Sequence, residues 1–265
     1  MTSLSPLRIV QLTDMHLFAD ERQQLLGVPT TESFQTVLDQ VMRLQIPPDL
    51  LLLTGDLSQD GKAESYKLLQ RMLAPLNISA YWLPGNHDRL PAMEQNLTSG
   101  VMSAQKSFQA GGWHFLLLNS QLEGCVHGYL SSDTLDWLDH QLQTVGPMPT
   151  VIGLHHPPFL VGSDWLDSST LQNPDDLFSV LDRHPQVKLV LFGHVHQEFS
   201  LSRRGVQFLG SPSTCIQFEP QSSDFSLDRA SPGFRILHLY PDESWWTTVE
   251  RVSYRSTLDL AATGY

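Results

Sequence analysis

The chain has 265 residues, of which 41% are hydrophobic, and its 16 basic against 28 acidic residues give a formal net charge of −12. A surface with this acidic excess repels phosphate polymers, so we expect no nucleic-acid partner. No run of eighteen or more apolar residues occurs. We therefore expect no membrane span and no membrane partner.

The cysteines and the first residues indicate a compartment. Cys125 and Cys215 are too few for a disulfide framework. The segment MTSLSPLRIV has neither the basic start nor the apolar stretch of a signal peptide. We therefore expect a cytoplasmic protein with reduced thiols. Repeats, low-complexity tracts and linkers are absent from the sequence, so residues 1–265 are predicted to form one domain.

Short apolar runs that predict β-strands alternate with amphipathic segments over the first two thirds of the chain. The predicted strands span residues 7–13, 50–54, 80–83, 113–119, 150–154 and 187–192. From residue 207 onward the pattern predicts strands at 233–240 and 245–252 with no helix between them.

Three amphipathic segments predict helices between these strands. Apolar residues recur at helical spacing at Phe34, Val37, Leu38, Val41 and Leu44, before Pro47 and Pro48, and again at Leu135, Leu138 and Leu142. Asn173 is the predicted cap of a third helix, with Pro174 and two acidic residues in its first turn. Strands that alternate with helices indicate an α/β fold.

Polar side chains directly follow five of the six predicted strands. In chain order these residues are Asp14 and His16, Asp56, then Asn86, His87 and Asp88, then His155 and His156, and finally His194 and His196. Each motif alone also fits an exposed strand end, a turn or a solvated loop. Because ligands bind beyond the carboxyl ends of strands in open α/β sheets, a continuous sheet would bring the five motifs together.

The residue types in these motifs suit a metal centre. Carboxylate, amide oxygen and imidazole ligands favour Mn, Fe, Zn or Co, and the lack of cysteine argues against a structural zinc site. The candidate ligands exceed the number that one ion needs, so we predict two ions about 3.5–4 Å apart. Gly55, Gly85 and Gly193 are expected to let the backbone turn sharply beside the motifs.

The order D-x-H, GD, GNHD, H and G-H-x-H, from Asp14 to His196, resembles the calcineurin-like metallophosphoesterase superfamily. The resemblance implies a four-layer α/β/β/α sandwich, in which two mixed sheets are flanked by helices and a binuclear metal site lies at the carboxyl ends of the strands. The C-terminal part, from about residue 200, would complete the second sheet and the substrate wall. The resemblance also implies two ligand sets: Asp14, His16 and His196 for one ion, Asn86, His155 and His194 for the other, with Asp56 bridging.

Further segments, among them TDMHLF, LLGVPTTESF, TGDLSQD, SPSTCIQFEP and the terminal TGY, are similar to bacterial 3′,5′-cyclic AMP phosphodiesterases. This similarity implies hydrolysis of cyclic AMP to 5′-AMP by a monomer or homodimer with two divalent ions, Fe or Mn, with Zn or Co as alternatives. It implies that His87 contacts the phosphate and that Asp88 orients His87. Either His87 or a metal-bound water is expected to protonate the leaving oxygen. The residues that would face the substrate are His16, Asp56, Asn86, His87 and His196.

Other functions and roles stay open in the sequence. The chain could be another superfamily member, namely a broad phosphodiesterase, a dinucleotide polyphosphatase or a phosphoprotein phosphatase, which residues 207–240 would decide, or a non-catalytic scaffold. His156 either adjoins the site or lies in a solvated loop. Packing rather than contact with a nucleobase is the favoured role of Trp165, Phe218 and Arg235, and a buried apolar role that of Cys215. No metal role is expected for His114, His127, His140, His184 and His238.

Overall fold

The structure is a computed structural model that describes residues 5–264. Met1–Leu4 and Tyr265, which belong to the N-terminal segment and the terminal TGY quoted above, lie outside these residues. The strands are β1 Leu7–Leu12, β2 Gln24–Leu25, β3 Val28–Pro29, β4 Leu50–Thr54, β5 Ser79–Leu83, β6 Met102–Ser103, β7 Ser107–Ala110, β8 Trp113–Leu117, β9 Thr150–Gly153, β10 Val187–Phe192, β11 Phe199–Arg203, β12 Val206–Gly210, β13 Gln217–Phe218, β14 Leu227–Asp228, β15 Gly233–Leu239 and β16 Trp245–Arg251. The helices are α1 Thr30–Met42, α2 Ala63–Leu73, α3 Leu90–Asn96, α4 Ser132–Val145, α5 Asp164–Asp167 and α6 Pro174–Leu181, with a 3₁₀ turn at Ala74–Leu76.

Two six-stranded sheets form the centre of the molecule. The first has the order β16-β15-β1-β4-β5-β6 and the second has the order β11-β12-β10-β9-β8-β7. In each sheet the central strands are parallel, while antiparallel strands lie at one or both edges. Both sheets are therefore mixed, as predicted.

Apolar side chains fill three layers of core. Residues of both sheets, including Ile9, Leu52 and Leu191, share the layer between the sheets. The outer face of the first sheet packs against α1 and α2, and that of the second sheet packs against α4 and α6. All five residues of β4 are buried because both faces of its sheet are covered. The resulting α/β/β/α sandwich confirms the predicted fold class.

The eight predicted strands are all present, with ends that differ by at most two residues. Short strands were missed: β2, β3, β6, β13 and β14 have two residues each, too few for a periodic pattern, and β7 and β12 alternate only in part. Strand β11, FSLSR, does alternate and was not predicted. The C-terminal third divides between the sheets, because β11 and β12 extend the second sheet whereas β15 pairs with β1 of the first.

The three predicted helices correspond to α1, α4 and α6, but two details of their ends differ. Helix α1 stops at Met42, before the two prolines that were expected to close it. Asn173 occupies the N-cap position of α6 without capping it. Its side chain instead exchanges two hydrogen bonds with the backbone of Leu130, at 2.9 and 3.0 Å. Between residues 5 and 264 the structure has no helix long and apolar enough to cross a bilayer.

Candidate metal centre

The carboxyl ends of β1, β4, β5, β9 and β10 bring all the predicted ligands to one place, although the strands belong to two sheets. Backbone strain is concentrated there. Of the ten non-glycine residues with positive φ in the described part of the chain, five are predicted ligands, with φ between 49° and 68°. They are Asp14, His16, Asp56, His194 and His196. Such conformations cost about 1–3 kcal/mol each and persist where the surrounding structure and function require them.

One group of ligands comprises Asp14, His16 and His196, all fully buried or nearly so. The Nε2 atoms of His16 and His196 lie 3.2 Å apart, and Nε2 of His196 is 3.3 Å from Oδ1 of Asp14. Both histidines have Nδ1 next to a carbonyl oxygen, of Gln59 at 2.6 Å and of Ile216 at 2.9 Å. Protons on these Nδ1 atoms leave lone pairs on the two Nε2 atoms, which face each other and the carboxylate.

A second group surrounds Asp56. Its Oδ2 lies 3.2 Å from Nε2 of His155 and 4.0 Å from Nε2 of His16, so this carboxylate stands between the two predicted ligand sets. The 3.2 Å approach lacks the alignment of a hydrogen bond, and Oδ2 of Asp56 and Nε2 of His155 are both buried without a hydrogen-bond partner. Nδ1 of His155 donates to the carbonyl of Thr54 at 2.8 Å. Nε2 of His155 is therefore the ring nitrogen directed at the carboxylate.

Asn86 and His194 complete the constellation. Oδ1 of Asn86 lies 3.0 Å from Nδ1 of His194. Nε2 of His194 contacts the hydroxyl of Ser169 at 2.9 Å, and that hydroxyl donates to the carbonyl of Leu166 at 2.7 Å. The hydroxyl of Ser169 therefore accepts a hydrogen bond from Nε2–H of His194, which leaves the lone pair of Nδ1 directed at Asn86.

The residues that fix these tautomers were missed by the sequence analysis. Gln59 and Ser169 hold ligand histidines through side chains, whereas Thr54 and Ile216 do so through backbone carbonyls. Partners of this kind orient metal-ligating histidines and raise their basicity. The glutamine follows the GD motif by three residues and could have been suspected, but a backbone carbonyl leaves no trace in a sequence.

Two of the three glycines at the site, Gly85 and Gly193, leave space for neighbouring groups as well as beginning a turn. Only Gly55 has a left-handed φ, of 95°. A Cβ atom on Gly85 would lie 2.2 Å from Oδ1 of Asp56, and one on Gly193 would lie 2.1 Å from the hydroxyl of Thr13. The chain turns at Gly85 and Gly193 without a left-handed φ, and glycine at both positions permits a close approach of neighbouring strand ends.

The electrostatics of the centre favour a cation. Burial alone would lower the pKa of His155, but the carboxylates of Asp56 and Asp14 raise it to about 9. Burial opposes the charge on Asp56, yet His155 and His87 hold the pKa of Asp56 well below its usual range. Burial lowers the pKa of His16 to about 3. The carboxylates thus attract positive charge to the centre, while His16 stays neutral at neutral pH and able to bind a metal.

His156 is buried and is not the solvated loop histidine that one interpretation foresaw. Its ring lies 5.0 Å from that of His155 and 4.9 Å from that of His194. Nδ1 contacts the hydroxyl of Ser120 at 2.9 Å, and Nε2 donates to the carbonyl of Val126 at 3.0 Å. Because both ring nitrogens have partners, His156 packs beside the predicted ligands, whereas Nε2 of His155, the first histidine of the HHPP motif, is directed at Asp56.

His87 stands at the rim of the centre. Its side chain is half-buried, its backbone N–H donates to Oδ1 of Asp56 at 2.9 Å, and its ring lies 5.1 Å from that of His16. The buried carboxylate of Asp88 accepts hydrogen bonds from the backbone of Leu57, Ser58 and Gly85 and from the hydroxyl of Tyr66. None of these four donors is the ring of His87, so its orientation by Asp88 stays a prediction.

The remaining candidates are placed as follows. Phe218 is buried and stacks on His196 at 4.1 Å, while half-buried Trp165 packs edge-on against Phe218. Cys215 is buried, and burial raises the pKa of its thiol to about 12. Arg235 is buried within the first sheet.

The five histidines with no expected metal role lie in other surroundings. His114 contacts Ser107, His184 pairs with Asp139, His238 stacks on Trp246, His127 is half-buried in a loop and His140 is exposed on α4.

The donor set fits divalent ions. Three pairs of predicted ligand atoms lie 3.0–3.2 Å apart, between His16 and His196, between Asp56 and His155, and between Asn86 and His194. Of these atoms, Oδ2 of Asp56 and Nε2 of His155 are buried without a hydrogen-bond partner. Unpaired buried polar atoms cost about 1–3 kcal/mol each, and a cation between them would remove that cost. Asp14, His16 and His196 form one candidate group, and Asp56 belongs to two others, with His16 and His87 and with Asp14 and His155.

The chain belongs to the calcineurin-like phosphoesterase family, whose profile matches residues 7–198. Among solved structures, it is similar to a dimetal phosphatase from Danio rerio, with a TM-score of 0.71 and 16% sequence identity over 97% of this chain and 100% of that one. At this identity the likeness concerns the fold.

Curated relatives match almost end to end. A 3′,5′-cyclic-nucleotide phosphodiesterase of Nostoc sp. is 53% identical over 263 residues, which cover 99% of each chain. The 3′,5′-cyclic adenosine monophosphate phosphodiesterase CpdA of Vibrio vulnificus is 42% identical over 265 residues, covering 99% of this chain and 97% of the relative.

Proposed function

We propose that the protein hydrolyses 3′,5′-cyclic AMP to 5′-AMP with two bound divalent ions, and thereby lowers the cellular concentration of cyclic AMP. The observation that carries this proposal is the gathering of Asp14, Asp56 and the four predicted ligand histidines in one buried cluster, in a chain whose relatives in Nostoc and Vibrio are named for this reaction. Fe or Mn are the proposed ions, with Zn or Co as alternatives for the same ligand types.

The proposed ligand sets follow the two groups of contacts. Asp14, His16 and His196 hold one ion, and Asn86, His155 and His194 hold the other. Asp56 bridges them because its Oδ2 lies within 4.0 Å of both His16 and His155. When bound, two such ions lower the pKa of a water molecule and stabilise negative charge on phosphoryl oxygens.

The chain's own residues supply the remaining chemistry. His87 is half-exposed beside His16, so its imidazole can donate a hydrogen bond to a phosphoryl oxygen or a proton to the departing 3′ oxygen. Oδ1 of Asp56 accepts a hydrogen bond from the backbone N–H of His87, which fixes the position of His87 relative to the bridging carboxylate. The carboxylate of Asp88 holds the same turn by accepting hydrogen bonds from four groups.

The cellular setting is part of the proposal. Both cysteines are free thiols, as expected in the reducing cytoplasm. The net charge of −12 suits a small cyclic nucleotide, held by cations, better than a nucleic-acid polymer. We place the whole chain in one domain that works as a monomer or homodimer without a membrane partner.

A substrate panel tests the proposal. Metal-free protein would be reconstituted with Mn, Fe, Zn or Co, and kcat/KM would be compared for cyclic AMP, cyclic GMP, a dinucleotide polyphosphate, a phosphopeptide and bis(4-nitrophenyl) phosphate. We expect cyclic AMP to have the highest kcat/KM among the biological substrates, and chelation to abolish turnover. A higher value for the dinucleotide or the phosphopeptide would assign a different function, and no turnover with any metal would indicate a scaffold.

A further inference from the structure

The loop at residues 118–130 follows β8, the strand whose carboxyl end carries no predicted metal ligand. It nevertheless contacts two loops that do carry ligands. The hydroxyl of Ser120 accepts from the backbone N–H of His155 at 3.3 Å, and the carbonyl of Val126 accepts from the ring of His156. This loop therefore supports the metal centre from outside.

Gln121 makes the contact with the other ligand loop. Its Nε2 donates to the carbonyl of Gly85 at 2.8 Å and to the carbonyl of Asp88 at 2.5 Å. Gly85 and Asp88 are the first and last residues of the turn that contains Asn86 and His87, and the N–H of Asp88 contacts the Gly85 carbonyl at 3.3 Å. One amide group thus joins the two ends of the turn.

The opposite side of this turn is held by Asp88, whose carboxylate binds the backbone of Leu57, Ser58 and Gly85. Those bonds tie the turn to the loop that carries Asp56. Without Gln121, the carbonyls of Gly85 and Asp88 would lose a shared donor on the side away from Asp56. Asn86 and His87 would then be held from one side alone.

We propose that Gln121 is a positioning residue that fixes Asn86 and His87 relative to the metal centre. It contacts neither substrate nor metal and acts by clamping the two carbonyls that flank them. This inference rests on the proposed phosphodiesterase function, because it assigns His87 a part in turnover. A displacement of about 1 Å of a reacting group can cost about 10²-fold in rate.

The test uses two variants and a matched control. Gln121→Met keeps the length of the side chain without a donor, and Gln121→Glu replaces the donor by a carboxylate. Gln186→Met is the control, since Gln186 is also half-buried and its Nε2 also donates to a carbonyl, of Leu142 at 2.9 Å, on the far side of the second sheet. Turnover of bis(4-nitrophenyl) phosphate, bound manganese and Tm would be measured for each.

We expect Gln121→Met to lower kcat by about 10- to 100-fold with KM and two bound ions retained, while Gln186→Met keeps kcat. For Gln121→Glu, kcat relative to the wild type should rise about 5-fold between about pH 8.5 and pH 6. The reason is that two facing carbonyls raise the pKa of the new carboxyl, which then regains one donated hydrogen bond on protonation. Dividing kcat of the variant by kcat of the wild type at each pH cancels the effects of groups that titrate in both proteins, including Asp88.

A Gln121→Met kcat within threefold of the wild type would overturn the inference, as would equal losses in both Met variants. If Gln121→Met fails to fold, the pH dependence of Gln121→Glu decides, and a flat ratio overturns the inference. Wild-type protein that cleaves the aryl ester and not cyclic AMP would refute the proposed substrate, and the comparison at Gln121 would still be valid.

Discussion

Two clusters of buried polar residues lie near the carboxyl end of β1, and they differ in how their hydrogen bonds are satisfied. In the first, Gln11, Ser211 and Arg235 are at most 2% exposed, and the nitrogen and oxygen atoms of their side chains all have partners. Gln11 donates to Thr54 and Phe192, Ser211 donates to Gln11, and Arg235 donates to Ser211, Thr247 and Gly210. In the second, around Asp56, lone pairs face lone pairs.

The difference separates a structural cluster from a functional one. Burial lowers the pKa of Arg235 to about 10, so its guanidinium is charged at neutral pH and its charge is dispersed over three acceptors. Arg235 therefore joins neighbouring strands, and at 2% exposure its guanidinium is not accessible to a nucleobase. At the centre of the second cluster, Oδ2 of Asp56 and Nε2 of His155 are buried without a hydrogen-bond partner, which is the state expected of ligands that receive a cation.

A substitution of Asp56, at the centre of the second cluster, should have the largest effect on metal binding and on kcat/KM. Asp56→Asn removes the charge that stands between the two ligand sets, so we expect both ions to be lost and kcat/KM to fall at least about 10⁴-fold. Elemental analysis and turnover of cyclic AMP would measure both. Asp49→Asn, at an exposed carboxylate, is the control. Loss of one ion with the other bound normally would place the bridge on another residue.

His87→Ala tests the rim of the same cluster. We expect both ions to remain and kcat on cyclic AMP to fall roughly 10²- to 10⁴-fold, the range for a positioned acid or base. The fall in kcat should be smaller for a nitrophenyl ester, because the oxygen of its leaving group needs no proton. Equal losses on the two substrates would mean that His87 stabilises phosphoryl charge, and loss of metal would make it a ligand. His140→Ala, on the exposed face of α4, is the control.

Ser169→Ala should have a smaller effect, since it removes only the acceptor that fixes the tautomer of His194. We expect metal affinity to fall about 10- to 100-fold, measured by competition with a chelator of known affinity. Ser179→Ala removes a hydroxyl that also donates to a backbone carbonyl, of Asp175, on the surface of α6. The prediction fails if the two variants bind metal equally well.

Arg235→Met tests the structural cluster and should leave the metal centre intact. The loss of a donor to Gly210, Ser211 and Thr247 should lower the free energy of unfolding by about 2 kcal/mol, which corresponds to a fall in Tm of about 4–8 °C for a chain of this size. Arg229→Met, at an exposed arginine, should change Tm little. A drop in kcat of folded Arg235→Met protein at unchanged Tm would contradict the division between the clusters.

The sequence predicts the functional cluster better than the structural one. Asp14, Asp56 and His194 each follow an apolar strand, so topology alone places them at one end of the fold. Gln11 and Arg235 lie inside strands and look like solvent-facing positions of an alternating pattern. Only the pairing of β1 with β15, which joins residues more than 220 positions apart, reveals that they are buried together.

The supporting residues are hidden for the same reason. Gln121 and Ser169 lie in loops with no periodic pattern, and each acts on a ligand loop from another part of the chain. Asn173 has the sequence of a helix cap, yet it pairs with Leu130 because the folded chain offers that backbone as a partner. The local sequence pattern predicts which residues could form hydrogen bonds or bind a metal, and the tertiary contacts decide which of them do so.

The most direct test of the binuclear centre is the anomalous scattering of manganese in crystals of the reconstituted protein, collected together with elemental analysis of the same sample. We predict two ions per chain, one bound by Asp14, His16 and His196 and the other by Asn86, His155 and His194, with Asp56 in contact with both. A single anomalous peak, a peak outside these residues, or a carboxylate of Asp56 bound to one ion alone would contradict the account.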